Sequence, residues 1–185
     1  MAHADRAWAD IVEVSTPEEL RAPLPALRRR IQQCGLGPAE RPLLWMQWSG
    51  ASTLRDSSPR SYAELLSAAQ AAEREGCGDE ALREALAQID LDTRRTFPDH
   101  AAFRDGDAPD DGRLLPCLRS VLAALAHSRP DVGYQQGMNE LAGLALLARW
   151  QPALGPQPRD PNAAAAAQLW LSVQLQRLRP QAAAI

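Results

Sequence analysis

Apolar residues spaced three and four positions apart recur along this chain, and this helical spacing restricts its fold more than any other feature. Hydrophobic residues make up 45% of the sequence but aromatic residues only 5%, which favours helices packed through Ala and Leu over a β-sandwich. No strand pattern stands out, so the sequence predicts an all-α fold. The clearest predicted helices run over Tyr62 to Glu75, from Asp79 to near Pro98, over Leu114 to His127, and from about Gly133 to Trp150.

Turn residues separate these helices from shorter segments. A helix from about Ala26 to Gln33 is predicted to end at Gly35, because glycine commonly follows the last helical residue. The polar stretch from Ser49 to Ser61 indicates a loop. A capping signal at Thr16 and an apolar segment from Ala163 to Arg177 predict two further helices.

Charge and cysteine content exclude several classes of protein. The net charge of -3 gives no basic face of the kind that nucleic acid requires. The three cysteines have no CxxC pairing, which excludes a disulfide framework and a zinc knuckle and fits a reducing compartment. The longest apolar stretch, Leu141 to Ala148, is too short to cross a bilayer. We therefore expect a cytoplasmic protein without a metal site.

The segment from Ile89 to Pro98 contains the first candidate functional residue. It places Arg95 at the end of a predicted helix, where an arginine commonly binds the last carbonyls. The residues that follow fix the chain direction, so this guanidinium can also project outward, and its planar fork suits phosphate oxygens. Arg94 points elsewhere, because adjacent helical positions do not share a face.

The segment from Val132 to Asn139 contains the second candidate. It places Gln136 beside Gly137 at the start of another predicted helix. A glutamine at the start of a helix is most often a solvent-exposed or capping residue. Its primary amide can also accept a hydrogen bond from a water and donate one to a phosphate oxygen at the same time. Gly137 permits close approach of another backbone. The glutamine and Arg95 can act together only if the two helices converge.

Three motifs occur in a fixed order along the chain. They are Arg41…Trp45…Gly50, then Ile89…Asp92…Arg95, then Tyr134-x-Gln136-Gly137-Met138. Together they resemble the signatures of the TBC domain, the catalytic module of Rab GTPase-activating proteins, over roughly Leu24 to Trp150. This resemblance implies an N-terminal extension over 1–23 and a partial TBC domain over 24–185. The domain would carry a Pro- and Gly-rich insertion at about 151–162, and its C-terminal lobe would be mostly missing.

The resemblance also implies a role for each motif residue. Arg95 would be an arginine finger, and Gln136 would replace the water-orienting glutamine of the GTPase in trans. Independently of the resemblance, the residues of the first motif favour structural roles: Arg41 is expected to pair with a carboxylate, for which Asp92 is a candidate, Trp45 to lie in the core and Gly50 to end a helix. The supporting residues of the site are Asp92, Arg41, Trp45, Tyr134 and Gly137.

The implied activity is acceleration of GTP hydrolysis on a Rab-family small GTPase in its GTP-bound state, in vesicle trafficking. Nucleotide and Mg²⁺ would belong to the partner, because the chain has no P-loop pattern, and no cofactor of its own is expected. Recruitment to endomembranes would occur only through the partner. Because the second lobe looks mostly absent, two alternatives stay open: a non-catalytic Rab-binding scaffold and an inactive fragment.

Overall fold

The computed structural model describes residues 25–37, 40–76, 79–104 and 112–149. Within these ranges all regular secondary structure is helical, so the all-α prediction is confirmed. The predicted helices at Thr16 and at Ala163 to Arg177, and the insertion at 151–162, lie outside the described residues. The helices are α1 (Pro25–Cys34), α2 (Glu40–Ser49), α3 (Ala51–Ser57), α4 (Tyr62–Glu75), α5 (Glu80–Arg95), α6 (Leu115–Ser128) and α7 (Met138–Arg149).

Local capping sets the start of helices α4 and α5. At α4, Ser61 Oγ accepts from the Glu64 backbone N–H at 3.3 Å, and the Glu64 carboxylate accepts from the Ser61 N–H at 2.7 Å. At α5, the Asp79 carboxylate accepts from the Leu82 N–H at 2.8 Å. Asp79 is therefore the cap that the sequence predicts.

Helix α6 lies at the centre of the described structure, packed against α4, α5 and α7. On α5, Ile89 is fully buried and faces this core, as its helical spacing predicts. The outer residues of the cluster include partly buried Leu82 and Leu86. Four residues of α6 repeat at helical spacing, as expected for a buried face, and are at most 1% exposed: Leu118, Val121, Leu122 and Leu125.

Arg119 on α6 ties three helices together. Its Nε donates to Asp90 of α5 at 2.6 Å, and its terminal nitrogens donate to Glu73 of α4. The hydrogen bonds to Glu73 and Asp90 raise the pKa of Arg119 above its ordinary value. These ion pairs link α4, α5 and α6 through one guanidinium. Because the side chains are partly exposed, they contribute only about 1 kcal/mol to stability.

Two predictions of local structure were wrong. The stretch predicted as a loop contains α3, whose first residue, Ala51, is fully buried. Gly50, with a φ of 84°, does end α2 as expected, but the chain then enters another helix. The last predicted helix begins at Met138 and not near Gly133, because Gly133 and Gly137 have φ values of 62° and 98° that a right-handed helix does not allow.

Within the described ranges, no helix combines the length and apolar character that crossing a membrane requires. The same residues contain no cluster of three or more His, Cys, Asp or Glu side chains that could hold a metal ion.

Candidate functional site

The end of α5 and the two residues after it form the first half of the candidate site. Arg95 is the last residue of α5, and its side chain is 58% exposed. Thr96 is extended, and Phe97 has a φ of 47°, which is uncommon for a residue other than glycine. The Phe97 ring packs edge-on against Phe103, with 5.7 Å between ring centroids. The Thr96–Phe97 loop therefore leaves the helix in a fixed direction directly after Arg95.

A buried carboxylate holds the guanidinium of Arg95. The Asp92 side chain is 1% exposed, and its Oδ1 accepts from Arg95 Nη2 and from Gln88 Nε2, the latter at 2.9 Å. Its Oδ2 accepts from the Tyr134 hydroxyl at 2.7 Å. Burial opposes the charge, but the hydrogen bonds from Tyr134, Arg95 and Gln88 outweigh it, so the pKa of Asp92 lies below its ordinary value. Asp92 is therefore ionised at neutral pH and orients Arg95.

The segment from Tyr134 to Asn139 forms the second half of the site. Besides the Tyr134–Asp92 bond, the Asn139 Nδ2 donates to Thr96 Oγ1 at 2.8 Å. Burial and the nearby carboxylate raise the pKa of the Tyr134 hydroxyl above its ordinary value, so it remains a donor. These two hydrogen bonds, which we call the junction, join segments 42 and 43 residues apart. The ends of α5 and α7 thus converge, the condition that the sequence left open.

Gln136 lies beside this junction, in the turn before α7, and its side chain is exposed. Its neighbour Gly137 has a φ of 98°, and its N–H donates to Asn139 Oδ1 at 3.1 Å. A Cβ at Gly137 would meet nothing within 4 Å. The backbone conformation requires glycine here, and the open space beside it leaves room for another molecule near Gln136.

In the Arg41…Trp45…Gly50 motif, the arginine makes a different contact from the one predicted. Arg41 is exposed and donates to the Leu36 carbonyl at 3.0 Å. The predicted ion pair between Arg41 and Asp92 was wrong, because Arg95, one turn further along the same helix, occupies that carboxylate. Trp45 is half-buried, whereas its neighbour Leu44 is fully buried.

Three residues of the candidate site were missed in the sequence, namely Gln88 and the junction residues Thr96 and Asn139. Gln88 could have been found, because a glutamine four positions before an aspartate on one helix commonly hydrogen-bonds it. Thr96 and Asn139 gave no local signal, because their contact joins residues 43 positions apart.

Thr93 is a buried polar residue next to Asp92, and its Oγ1 has no hydrogen-bond partner in the described part of the chain. A buried hydroxyl without a partner costs about 1–3 kcal/mol. We expect the nearly isosteric Thr93→Val to raise the free energy of unfolding by about 1 kcal/mol, measured by urea denaturation. Thr93→Ser is the matched control, which keeps the hydroxyl, loses the methyl group and should destabilise. A less stable Thr93→Val would show that the hydroxyl has a partner.

The fold and the junction define an all-α domain that presents an arginine and a glutamine beside one contact between two helix ends. A sequence model of the Rab-GTPase-TBC domain family matches residues 38–154, more than half of the chain. The chain belongs to this family.

Curated relatives agree with this assignment. The chain is 36% identical over 143 residues to Small G protein signaling modulator 3 of Bos taurus, covering 77% of this chain and 16% of that protein. It is 36% identical over 119 residues to Growth hormone-regulated TBC protein 1-A of Danio rerio, covering 64% of this chain and 30% of that protein. It is 34% identical over 143 residues to TBC1 domain family member 2A of Mus musculus, covering 76% and 13%. The chain thus spans less than a third of each of these three relatives, and no solved structure matches it significantly.

Proposed function

We propose that this domain accelerates GTP hydrolysis by a Rab-family GTPase, with Arg95 and Gln136 acting in trans on the GTP-bound partner. The observation that carries the proposal is the junction, in which Tyr134 binds Asp92 at 2.7 Å and Asn139 binds Thr96 at 2.8 Å. Arg95 directly precedes Thr96, and Gln136 lies between Tyr134 and Asn139, so the junction brings the two candidate residues to the same part of the domain. In the proposed complex, both would act on one bound nucleotide. Membership of the Rab-GTPase-TBC family supports a Rab as that partner.

The two residues would divide the chemistry between them. The transition state of GTP hydrolysis spreads charge over the γ-phosphoryl oxygens, and a guanidinium supplied in trans stabilises it by a factor on the order of 10³–10⁵ in rate. The amide of Gln136 would orient the attacking water, accepting from it while donating to a phosphate oxygen. GTP and Mg²⁺ would be bound by the partner, which would also bring the domain to endomembranes from the cytoplasm.

Single-turnover phosphate release from a panel of GTP-loaded Rab proteins tests the proposal. We expect at least one Rab to be stimulated by the wild-type domain and not by Arg95→Ala. Binding should be measured in parallel with GTP-analogue-loaded and GDP-loaded Rab. Binding without stimulation would favour the scaffold alternative, and neither binding nor stimulation would indicate an inactive fragment.

The role of Gln136 makes a separate prediction. A Rab whose own switch glutamine is replaced by leucine should still be stimulated, because Gln136 would supply the amide. On the normal Rab, Gln136→Ala should lower the stimulated rate by about 10²-fold, because the reaction would lose one preorganised hydrogen-bonding group. Gln135→Ala, an exposed neighbour, is the matched control. Stimulation of the normal Rab but not of the leucine variant would show that the Rab glutamine does the work.

A further inference from the structure

Gly143 on α7 is buried against the loop that follows Arg95. A Cβ added at Gly143 would lie 2.8 Å from Phe97 Cε2, 3.2 Å from Phe97 Cδ2 and 3.3 Å from Thr96 Cγ2. Real Cβ atoms essentially never approach another heavy atom to within 3.0 Å. The Thr96–Phe97 loop therefore packs on α7 only because position 143 has no side chain.

The loop has little freedom to move away from an added methyl group. Thr96 Oγ1 donates to the Asp92 carbonyl at 2.7 Å and accepts from Asn139 at 2.8 Å, and Thr96 is 1% exposed. The Phe97 ring rests against Phe103, and its backbone already has a positive φ. An alanine at 143 would therefore displace the Phe97 ring or the Thr96 methyl group, and both side chains belong to the loop that starts at the residue after Arg95.

We propose that Gly143 is a positioning residue for Arg95, because its missing side chain lets the Thr96–Phe97 loop seat on α7 and so fixes where the guanidinium points. The inference rests on the proposed function, which makes the position of Arg95 matter. Stability within α7 alone argues against glycine, because glycine inside a helix is about 1 kcal/mol less favourable than alanine. The contact with the loop is what opposes alanine at this position.

The test is a double-mutant cycle in the single-turnover assay, using Gly143→Ala, Phe97→Leu and the two combined. Gly143→Ala should lower the maximal stimulated rate on the order of 10- to 100-fold, since displacing a reacting group by about 1 Å can cost that much. The concentration of the domain at half-maximal rate should stay within about twofold, well short of a tenfold change in affinity. Phe97→Leu removes the ring atom nearest to the added methyl group, so it should restore most of the rate in the Gly143→Ala background. Relief of the clash would also restore stability, so thermal unfolding must show that Gly143→Ala is folded under the assay conditions before its rate is interpreted.

Each outcome separates the positioning role from the proposed function. If Arg95→Ala is inactive while Gly143→Ala reaches the wild-type maximal rate, the proposed function stands and the positioning role is wrong. If Gly143→Ala is slow and Phe97→Leu does not rescue it, the contact is not the cause and the proposal falls. If Arg95→Ala keeps the full rate, Arg95 is not the arginine finger, and the positioning role of Gly143, which depends on that assignment, is also wrong. Thermal unfolding shows whether each variant is folded. If Gly143→Ala alone does not fold, the Gly143→Ala, Phe97→Leu double variant must unfold cooperatively and stimulate the Rab for the proposal to stand.

Discussion

Arg95→Lys is expected to lower the stimulated rate of GTP hydrolysis by about 10³-fold while leaving the free energy of unfolding almost unchanged. Lysine keeps the positive charge but loses the planar fork that makes paired hydrogen bonds to phosphate oxygens. The Arg95 side chain is 58% exposed, so it contributes little to stability. Stopped-flow phosphate release under single-turnover conditions measures the rate, and urea denaturation measures the stability.

Arg94 provides the matched control for this experiment. It is the exposed neighbour of Arg95, and its side chain leaves the helix about 100° away. Arg94→Ala should therefore keep a rate close to that of the wild type. A greater loss in Arg94→Ala than in Arg95→Ala would mean that the wrong arginine has been assigned.

Asp92→Ala is expected to lower the free energy of unfolding by about 3 kcal/mol and also to lower the stimulated rate. The Asp92 carboxylate is buried and accepts hydrogen bonds from Gln88, Arg95 and Tyr134, so its removal deletes three hydrogen bonds to a charged group. Tyr134→Phe is the matched variant from the other side of the junction. It removes one donor and keeps the carboxylate, so it should cost about 1–2 kcal/mol. Equal stability of Asp92→Ala and the wild type would contradict the structural role of this carboxylate.

The pH dependence of stability follows from the same group. The pKa of Asp92 is lower in the folded chain than in the unfolded chain, where it is about 4. Its contribution is therefore fully present above the unfolded pKa, and it is lost as the pH falls through the lowered folded pKa. Asp92→Asn should be less stable at neutral pH and should show a weaker loss of stability on acidification. If the free energy of unfolding fell equally with pH in the wild type and in Asp92→Asn, the pH dependence would not come from Asp92.

The helices with broad apolar faces could be predicted from the sequence. Leu118, Val121, Leu122 and Leu125 repeat at helical spacing, and burial against three neighbouring helices leaves only one orientation for them. Ile89 likewise fixes the inward face of α5, which directs Asp92 toward the interior three positions later. Local periodicity was enough for these residues, because each signal lies within one helix.

The parts that could not be predicted depend on contacts between distant segments. The short helix α3 has only one fully buried residue, Ala51, too little to give a periodic pattern. The late start of α7 depends on positive φ at Gly137, where the Asn139 side chain accepts the backbone N–H. The junction itself joins residues more than 40 positions apart, and no pattern along the chain encodes such a distance.

The hydrogen bonds at Asp92 also determine what happens when Arg95 turns away toward an anion. Asp92 would still accept from Tyr134 at 2.7 Å and from Gln88 at 2.9 Å, so the buried carboxylate would not be left without donors. Under the proposed function, departure of the guanidinium would exchange one anionic partner, the carboxylate, for another, the phosphate. Asp92 would thus hold Arg95 in an ordered position from which the guanidinium can move to a phosphate.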